Sequence, residues 1–445
     1  LQTFNETRRD AADVLPGMAY RSYFLFVMAM VSACVVSERY VLFVLVEPIR
    51  RDLGLSDLQI GLVKDLALAI VYIIAVVPFA RLSETWSKRG IIAGAAAFWS
   101  VSVLVCAGAR NFWVLLAGRG GIGMGDGAFT PPGQAWIADL FPPRQRGTAI
   151  SIFLLGASIG SFAGPALGGW AAHAWGWRNA LLFASIPGFV LVPIVRFTLR
   201  DVRTGLADGS TADELVREPF AATCRSLFAI RTFPLLVIAS SLNALLSMGM
   251  ISWAPAFMQR THGMPAHQAG VQMGGALFIG SLIGHLSGGP LADLLSRRNE
   301  RWYLWIPMGS SACATLVGLA ILSGPADRVF PLFGLQMLLG GLAAAPLMAV
   351  VTGLAPVPSR ATAVAILMVA INVIGLGFGP VLVGWLSDAL HPFYGELSLG
   401  IAMRWSLLAG LPSTLLAWLA SRSYKADALD ARIRLARGNS LVVEN

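Results

Sequence analysis

Apolar stretches of about 20 residues, each long enough to cross a bilayer, recur along the chain and are parted by short polar turns. They fall at roughly 21–46, 58–80, 90–109, 112–135, 147–171 and 177–198. After a polar stretch they resume at 233–257, 268–291, 302–323, 329–354, 361–387 and 401–421. The pattern predicts an all-α polytopic membrane protein with twelve transmembrane helices in two six-helix bundles. The expected organisation is an N-terminal bundle over 1–199, a cytoplasmic linker over 200–231, a C-terminal bundle over 232–423 and a cytoplasmic tail over 424–445. The linker carries the one long charged interruption and has room for a short amphipathic helix.

Composition agrees with the pattern. The chain is 56% hydrophobic and 13% charged, with a mean hydropathy of +0.68, where soluble domains carry about 25% charge. A net charge of +9 could suggest nucleic acid, but the basic residues stand at the ends of apolar spans rather than on one polar domain. Alternate span ends collect Arg81, Lys88, Arg89, Arg144, Arg146, Arg297, Arg298 and Arg360, and the opposite ends hold fewer cations. That asymmetry places both termini in the cytoplasm, expected here as that of a bacterium whose inner (plasma) membrane holds the protein. Leu1 to Gly17 is polar, so no cleavable signal peptide is expected there. The Asn5-Glu6-Thr7 sequon reads as chance. The four cysteines form no CxxC pair and are expected to serve packing rather than disulfides or metal.

The charges inside the spans change the picture from membrane protein to working membrane protein. Ala117 to Ala128 holds Arg119 and Asp126 among six glycines. Each charge at mid-bilayer costs about 2.5–3.5 kcal/mol on the insertion scale, so both need a reason. Seven residues make almost two helical turns, so the two share a face yet stand about 10 Å apart, too far to pair with each other. Each therefore needs a partner from another helix or a wet cavity, and the glycines narrow the helix for close packing. Glu38, Asp65 and Asp126 balance Arg39, Lys64 and Arg119, as a paired network should. Glu38 and Arg39 are adjacent and point about 100° apart, so one can face a neighbouring helix. The second half offers His285, Asn243, Gln336 and Asn372 but no carboxylate at that depth. A carboxylate deprived of water holds its proton more tightly, the property a proton carrier needs. Asp126 or Glu38 is thus the candidate proton carrier, with Arg39 or Arg119 holding an anionic substrate group. Lys64 and Asp65 are possible further cavity charges. A static network that fixes helix packing is the bland alternative, and His285 reads as a packing histidine.

Two soluble-enzyme patterns match by accident. Gly118-x-Gly120-x-x-Gly123 lies inside an apolar helix with no preceding strand. Gly156-Ala157-Ser158-Ile159-Gly160 lacks a strand-turn-helix setting. Without a P-loop, a metal spacing or a cofactor motif, the chain is not expected to be an enzyme, no cofactor or metal is expected, and the energy source is a gradient rather than ATP.

The halves repeat. Ala80-x3-Glu84-x3-Lys88-Arg89 follows span two, and Gly289-x3-Asp293-x3-Arg297-Arg298 follows span eight. Gly164-Pro165-x-Leu167-x-Gly169-Trp170 recurs as Gly379-Pro380-x-Leu382-x-Gly384-Trp385. Over essentially its whole length the chain resembles the major facilitator superfamily, whose layout is two six-helix bundles in parallel repeat. The resemblance implies that Glu84, Lys88, Arg89, Asp293, Arg297 and Arg298 latch the cytoplasmic helix ends. Arg119-x3-Gly123 is similar to a fourth-helix signature linked to proton coupling. Gly160-x3-Gly164-Pro165-x2-Gly168-Gly169 is similar to the fifth-helix signature of exporters and antiporters. A narrower resemblance is to the Spinster-type branch, implicated in lysolipid and sphingolipid-phosphate transport. It rests on Glu38-Arg39-Tyr40, on Val46-Glu47-Pro48-Ile49-Arg50-Arg51-Asp52-Leu53 and on Ser56-Asp57-x-Gln59-Ile60-Gly61. Asp139-Leu140-Phe141-Pro142 and Asn372-x2-Gly375-x3-Gly379-Pro380 agree. It implies binding and proton-coupling roles for Glu38, Arg39 and Asp126, the last standing where Glu is usual. The expected function is proton-coupled secondary transport of an amphipathic or anionic, lysolipid-like substrate by alternating access. A proton-driven transporter of drugs or small organic anions is the alternative, and a non-transporting receptor or scaffold the reading from another class. The expected partners are membrane lipids, the substrate and protons, with no nucleic acid, in a monomer by analogy of fold.

Overall fold

The computed structural model describes residues 15–141, 143–202, 206, 220–355 and 360–443. The Asn5-Glu6-Thr7 sequon, the linker charges from Asp208 to Glu218 and the side chains of Ala80, Glu84, Arg144, Arg146 and Arg360 lie outside the described residues. Among the described residues there is no strand, and twelve spans follow one another. They begin with α1 (Met18–Leu53) and α2, which is built from Asp57–Gly61, a π-helical turn Leu62–Leu66 and Ala67–Thr85. Next come α3 (Lys88–Ala107) and α4 (Phe112–Leu140), then α5 and α6 within the helical run Pro143–Thr198. The second half holds α7 (Thr232–His262), α8 (Ala266–Ser296), α9 (Trp302–Ser323) and α10 (Ala326–Leu354). It closes with α11, built from Arg360–Ala370, a π-helical stretch Ile371–Phe378 and Gly379–Tyr394, and α12, from Ser398–Ser406, Leu407–Ala409 and Gly410–Val443. Nine described helices are long and apolar enough to cross a membrane. Two of them, Ala149–Thr198 and Thr362–Asp430, hold two spans each, and charged, glycine-rich α4 brings the total to twelve.

Local chemistry sets the ends. α1 overruns its apolar stretch by seven residues because Glu47 accepts from Arg50 at 3.2 Å and Arg51 at 3.0 Å on the same helix face. It stops at Gly54, whose φ of 61° is left-handed, a conformation that costs a residue with a Cβ about 1–2 kcal/mol. Ser56 then opens α2 with a capping box: its hydroxyl accepts from the Gln59 N–H, and the Gln59 amide accepts from the Ser56 N–H. Asp52 pairs with Arg178 at the start of α6. The Glu47–Gly61 motif therefore clips one turn shut. Gly176, at φ 81°, is where α5 and α6 part.

The chain divides into two compact units, one of residues 1–214 and 263–274, the other of 215–262 and 275–445. In the first, Gly156, Gly160, Gly164 and Gly168 lie four apart on α5 and face Ala29, Ala33, Ser37 and Val41, also four apart, on α1. At the first three a Cβ would overlap the facing backbone carbonyl oxygen, and at Gly168 the Val41 side chain. Hydrocarbon offers no hydrophobic drive between helices, so such backbone approach and its van der Waals contact supply the association. Gly169 meets the backbone at Ala266 and His267, and Pro165 that of Gly270, within the same unit. The glycines of α4 divide between two neighbours: Gly118, Gly121 and Gly125 face α3 at Ser102, Cys106 and Trp99, while Gly120, Gly123 and Gly127 face α2 at Val71, Leu68 and Tyr72. In the second unit Gly280, Gly284 and Gly288 of α8 face Gly334, Leu338 and Leu342 of α10, and Gly375 and Gly379 face Ala244 and Leu245 of α7. Pro380 is buried and its carbonyl accepts from the Trp253 indole at 2.9 Å. His285 turns back on its own helix to the Ser281 carbonyl.

Candidate functional site

Glycine packing sets α4 against α2 and α3, and the charges of α1, α2 and α4 meet there. Arg119 is 1% exposed and takes no carboxylate partner within ion-pair distance among the described residues. Its Nε donates to the Val63 carbonyl at 3.2 Å and its Nη2 to the Lys64 carbonyl. Both carbonyls belong to the π-helical turn of α2, where i→i+5 bonds replace the i→i+4 ladder. The guanidinium fork suits two neighbouring oxygens. Arg119 thus braces α4 against α2, and the expected partner from another helix is a backbone rather than an acid.

Glu38 and Arg39 diverge as their adjacency requires. Glu38, 3% exposed, turns to α3, where the indole N–H of fully buried Trp99 donates to its Oε1 at 2.7 Å. Its Oε2 is buried with no hydrogen-bond partner. Arg39 turns to α2, with Nε 3.8 Å from Oδ1 of Asp65. Lys64 and Asp65 are both fully buried, and the Lys64 ammonium stands 4.9 Å from the centre of the Phe43 ring. Asp126 is partly buried and accepts from the Thr130 hydroxyl one turn on, at 2.9 Å. Arg39 lies within electrostatic reach of Asp126, and Tyr72 is close to both. Arg119 is within reach of Glu38, Asp65 and Arg39. The six charges singled out from sequence therefore gather on three helices of one unit, with Arg39 and Asp65 in direct ion-pair contact.

The span ends carry a second set. Lys88 is buried and pairs with buried Asp139 of α4 at 2.9 Å. Arg89 donates its backbone N–H to Asp201 at 2.9 Å, and its Nε stands 3.6 Å from the same carboxylate. Ser87, the N-cap of α3, also donates to Asp201. In the second half Asp293, Arg297 and Arg298 are exposed, and Asp293 accepts from Tyr303 at 2.7 Å. The two copies of the repeated motif thus stand in unlike surroundings.

The profile of the Major Facilitator Superfamily matches residues 26–338. The chain belongs to that superfamily. An MFS-type efflux pump of Mycolicibacterium smegmatis is 28% identical over 408 residues, covering 91% of this chain and 93% of that protein. Protein spinster homolog 1 of Xenopus laevis is 24% identical over 402 residues, covering 85% and 75%. Among solved structures, a bacterial homolog to the human lysosomal transporter Spinster, inward-facing and unoccupied, superposes with a TM-score of 0.85 at 23% identity, covering 93% of this chain and 99% of that one. The protein is therefore a multi-pass membrane transporter of the Major Facilitator Superfamily, with its resemblance to the Spinster-type branch. Several residues that shape the site of this superfamily member escaped the reading of the sequence. Trp99 sits in an apolar run as an ordinary core aromatic, Tyr72 likewise, and Asp201 stands among linker charges. Glu47 was visible only as part of a motif, although its place beside Pro48, Arg50 and Arg51 is a signal for a self-paired helix end.

Proposed function

We propose that the protein is a proton-coupled secondary transporter that moves an amphipathic or anionic, lysolipid-like substrate by alternating access. The observation that carries the reading is Glu38, a carboxyl group buried in the same unit as Asp126, Arg39 and Arg119, with one oxygen on Trp99 and the other without a partner. A carboxyl group with an open oxygen in an apolar setting is suited to gaining and losing a proton. Arg39, 24% exposed at its side chain and loosely paired, keeps capacity for an anionic group. Arg119 is committed to backbone and serves as a brace. The Spinster likeness favours the lipid-like cargo. The proposal extends to two bundles, 1–199 and 232–423, joined by a cytoplasmic linker over 200–231 and followed by a cytoplasmic tail over 424–445. It places a monomer in a bacterial inner membrane with both termini in the cytoplasm, and the latch residues Glu84, Lys88, Arg89, Asp293, Arg297 and Arg298 on the cytoplasmic side. The M. smegmatis efflux pump favours a second reading, proton-driven export of drugs or small organic anions.

Flux into proteoliposomes under an imposed pH gradient tests both readings, with a lysolipid panel in one arm and organic anions and cationic dyes in the other. Asp126→Asn and Glu38→Gln are expected to fold as the wild type and to lose gradient-driven flux. Full gradient-driven flux in both variants would remove the coupling role. Movement of dyes but no lysolipid would select the second reading.

A further inference from the structure

Away from the charged cluster, a groove of about 630 Å³ lies in the first unit between α2, α3 and α4. It is lined by Phe79, Trp86, Ile91, Gly94, Phe98 and Met124. No atom stands within 4 Å of where a Gly94 Cβ would be, so the groove is open at that point. Trp86, Phe98 and Met124 are 67%, 46% and 39% exposed. The same helices carry further exposed apolar side chains, Ile70 and Ile74 of α2 and Val101 of α3.

We infer that this groove binds one acyl chain of an anionic phospholipid of the surrounding bilayer. Length is the first argument. From Ser87 to Phe98 α3 rises eleven residues, about 16 Å, which is about half of the 30 Å hydrocarbon thickness and so the depth of one leaflet. The second argument is the order of side chains along that length. Trp86 and the Ser87 hydroxyl stand where α2 turns into α3, the level at which amphipathic side chains meet headgroups, and the groove beyond them is apolar. Charge is the third. Arg81 is exposed beside the lining residue Leu82, so a positive charge stands at the end where a phosphate would lie, whereas Arg89 at that end is already held by Asp201.

Photolabelling tests the inference. The full chain is placed in phosphatidylcholine nanodiscs containing a trace of phosphatidylglycerol with a diazirine on its acyl chain, and cross-linked residues are mapped by mass spectrometry. Labelling is expected to concentrate on the peptides holding Ile91–Phe98 and Met124, and to fall when unlabelled phosphatidylglycerol is added. Gly94→Leu sets its Cβ in open space and is expected to cut that labelling about tenfold by excluding a few methylenes from apolar contact, with the unfolding midpoint kept. Met124→Trp fills the groove from α4 and decides the matter if Gly94→Leu does not fold. Labelling spread evenly over the lipid-facing helices, or unchanged in the folded variants, would overturn the inference. So would displacement of the label by a lysolipid but not by phosphatidylglycerol, which would give the groove to substrate instead.

Discussion

Gly164→Ala adds one methyl group where α5 crosses α1 at Ser37. The new Cβ would overlap the Ser37 carbonyl oxygen, and restoring a normal contact of about 3.5 Å requires the helices to part by about 1 Å. Forcing atoms into a packed seam costs about 1–3 kcal/mol. Alanine returns up to about 1 kcal/mol through its better helix propensity. The net expectation is a loss of about 1–2 kcal/mol. Gly309→Ala is the matched control: nothing lies within 4 Å of its Cβ position, so only the propensity gain applies and stability should rise by up to about 1 kcal/mol. The two substitutions are chemically identical and should differ in sign. Unfolding free energies in mixed micelles, measured by titration with a denaturing detergent, read the difference directly. Ser37 precedes Glu38 and Arg39, so a displaced α1 also moves both charges, and flux should fall in Gly164→Ala and hold in Gly309→Ala. Equal stability of the two variants would refute the view that close backbone approach builds this seam.

Lys88→Met strands Asp139 without its buried cation and should cost about 3–5 kcal/mol, while adding Asp139→Leu should recover most of that loss; thermal unfolding of the three proteins checks the order. Arg119→Leu leaves the Val63 and Lys64 carbonyls without their donor at about 1–3 kcal/mol each, so about 2–6 kcal/mol together; Arg119→Lys, with a point charge instead of a fork, should lie between, as read by the same unfolding titration. Gly54→Ala keeps the left-handed turn at a cost of about 1–2 kcal/mol, expected as a lower unfolding midpoint with the flux of folded protein unchanged.

The spans were legible because twenty-residue apolar runs have few other readings, and the six charges within them were legible because each is expensive in a membrane. What each charge touches was not. Arg119 finds backbone carbonyls, which leave no mark in side-chain composition, and a π-helical turn at Leu62–Leu66 has the same residues as an α-helical one. The glycines from Gly118 to Gly127 announced a narrow helix, but their division between α2 and α3 depends on where the neighbours stand. Lys88 and Asp139 were each quoted for their motifs, and only packing of α3 on α4 joins residues so far apart in the chain. Trp99 is the plainest gap, because a buried indole that donates to a carboxylate looks in sequence like any core aromatic.

The π-helical turn in α2 also has a consequence for how this gene can change. A π turn holds one residue more than an α turn, so deleting one residue at Leu62–Leu66 would restore the α-helical ladder and keep the face bearing Leu68, Val71 and Tyr72 towards the α4 glycines. Such a deletion would withdraw the Val63 and Lys64 carbonyls from Arg119 without unseating α4. Homologues that lack the wide turn should differ here by a single-residue gap in mid-membrane, accompanied by a change at the position of Arg119.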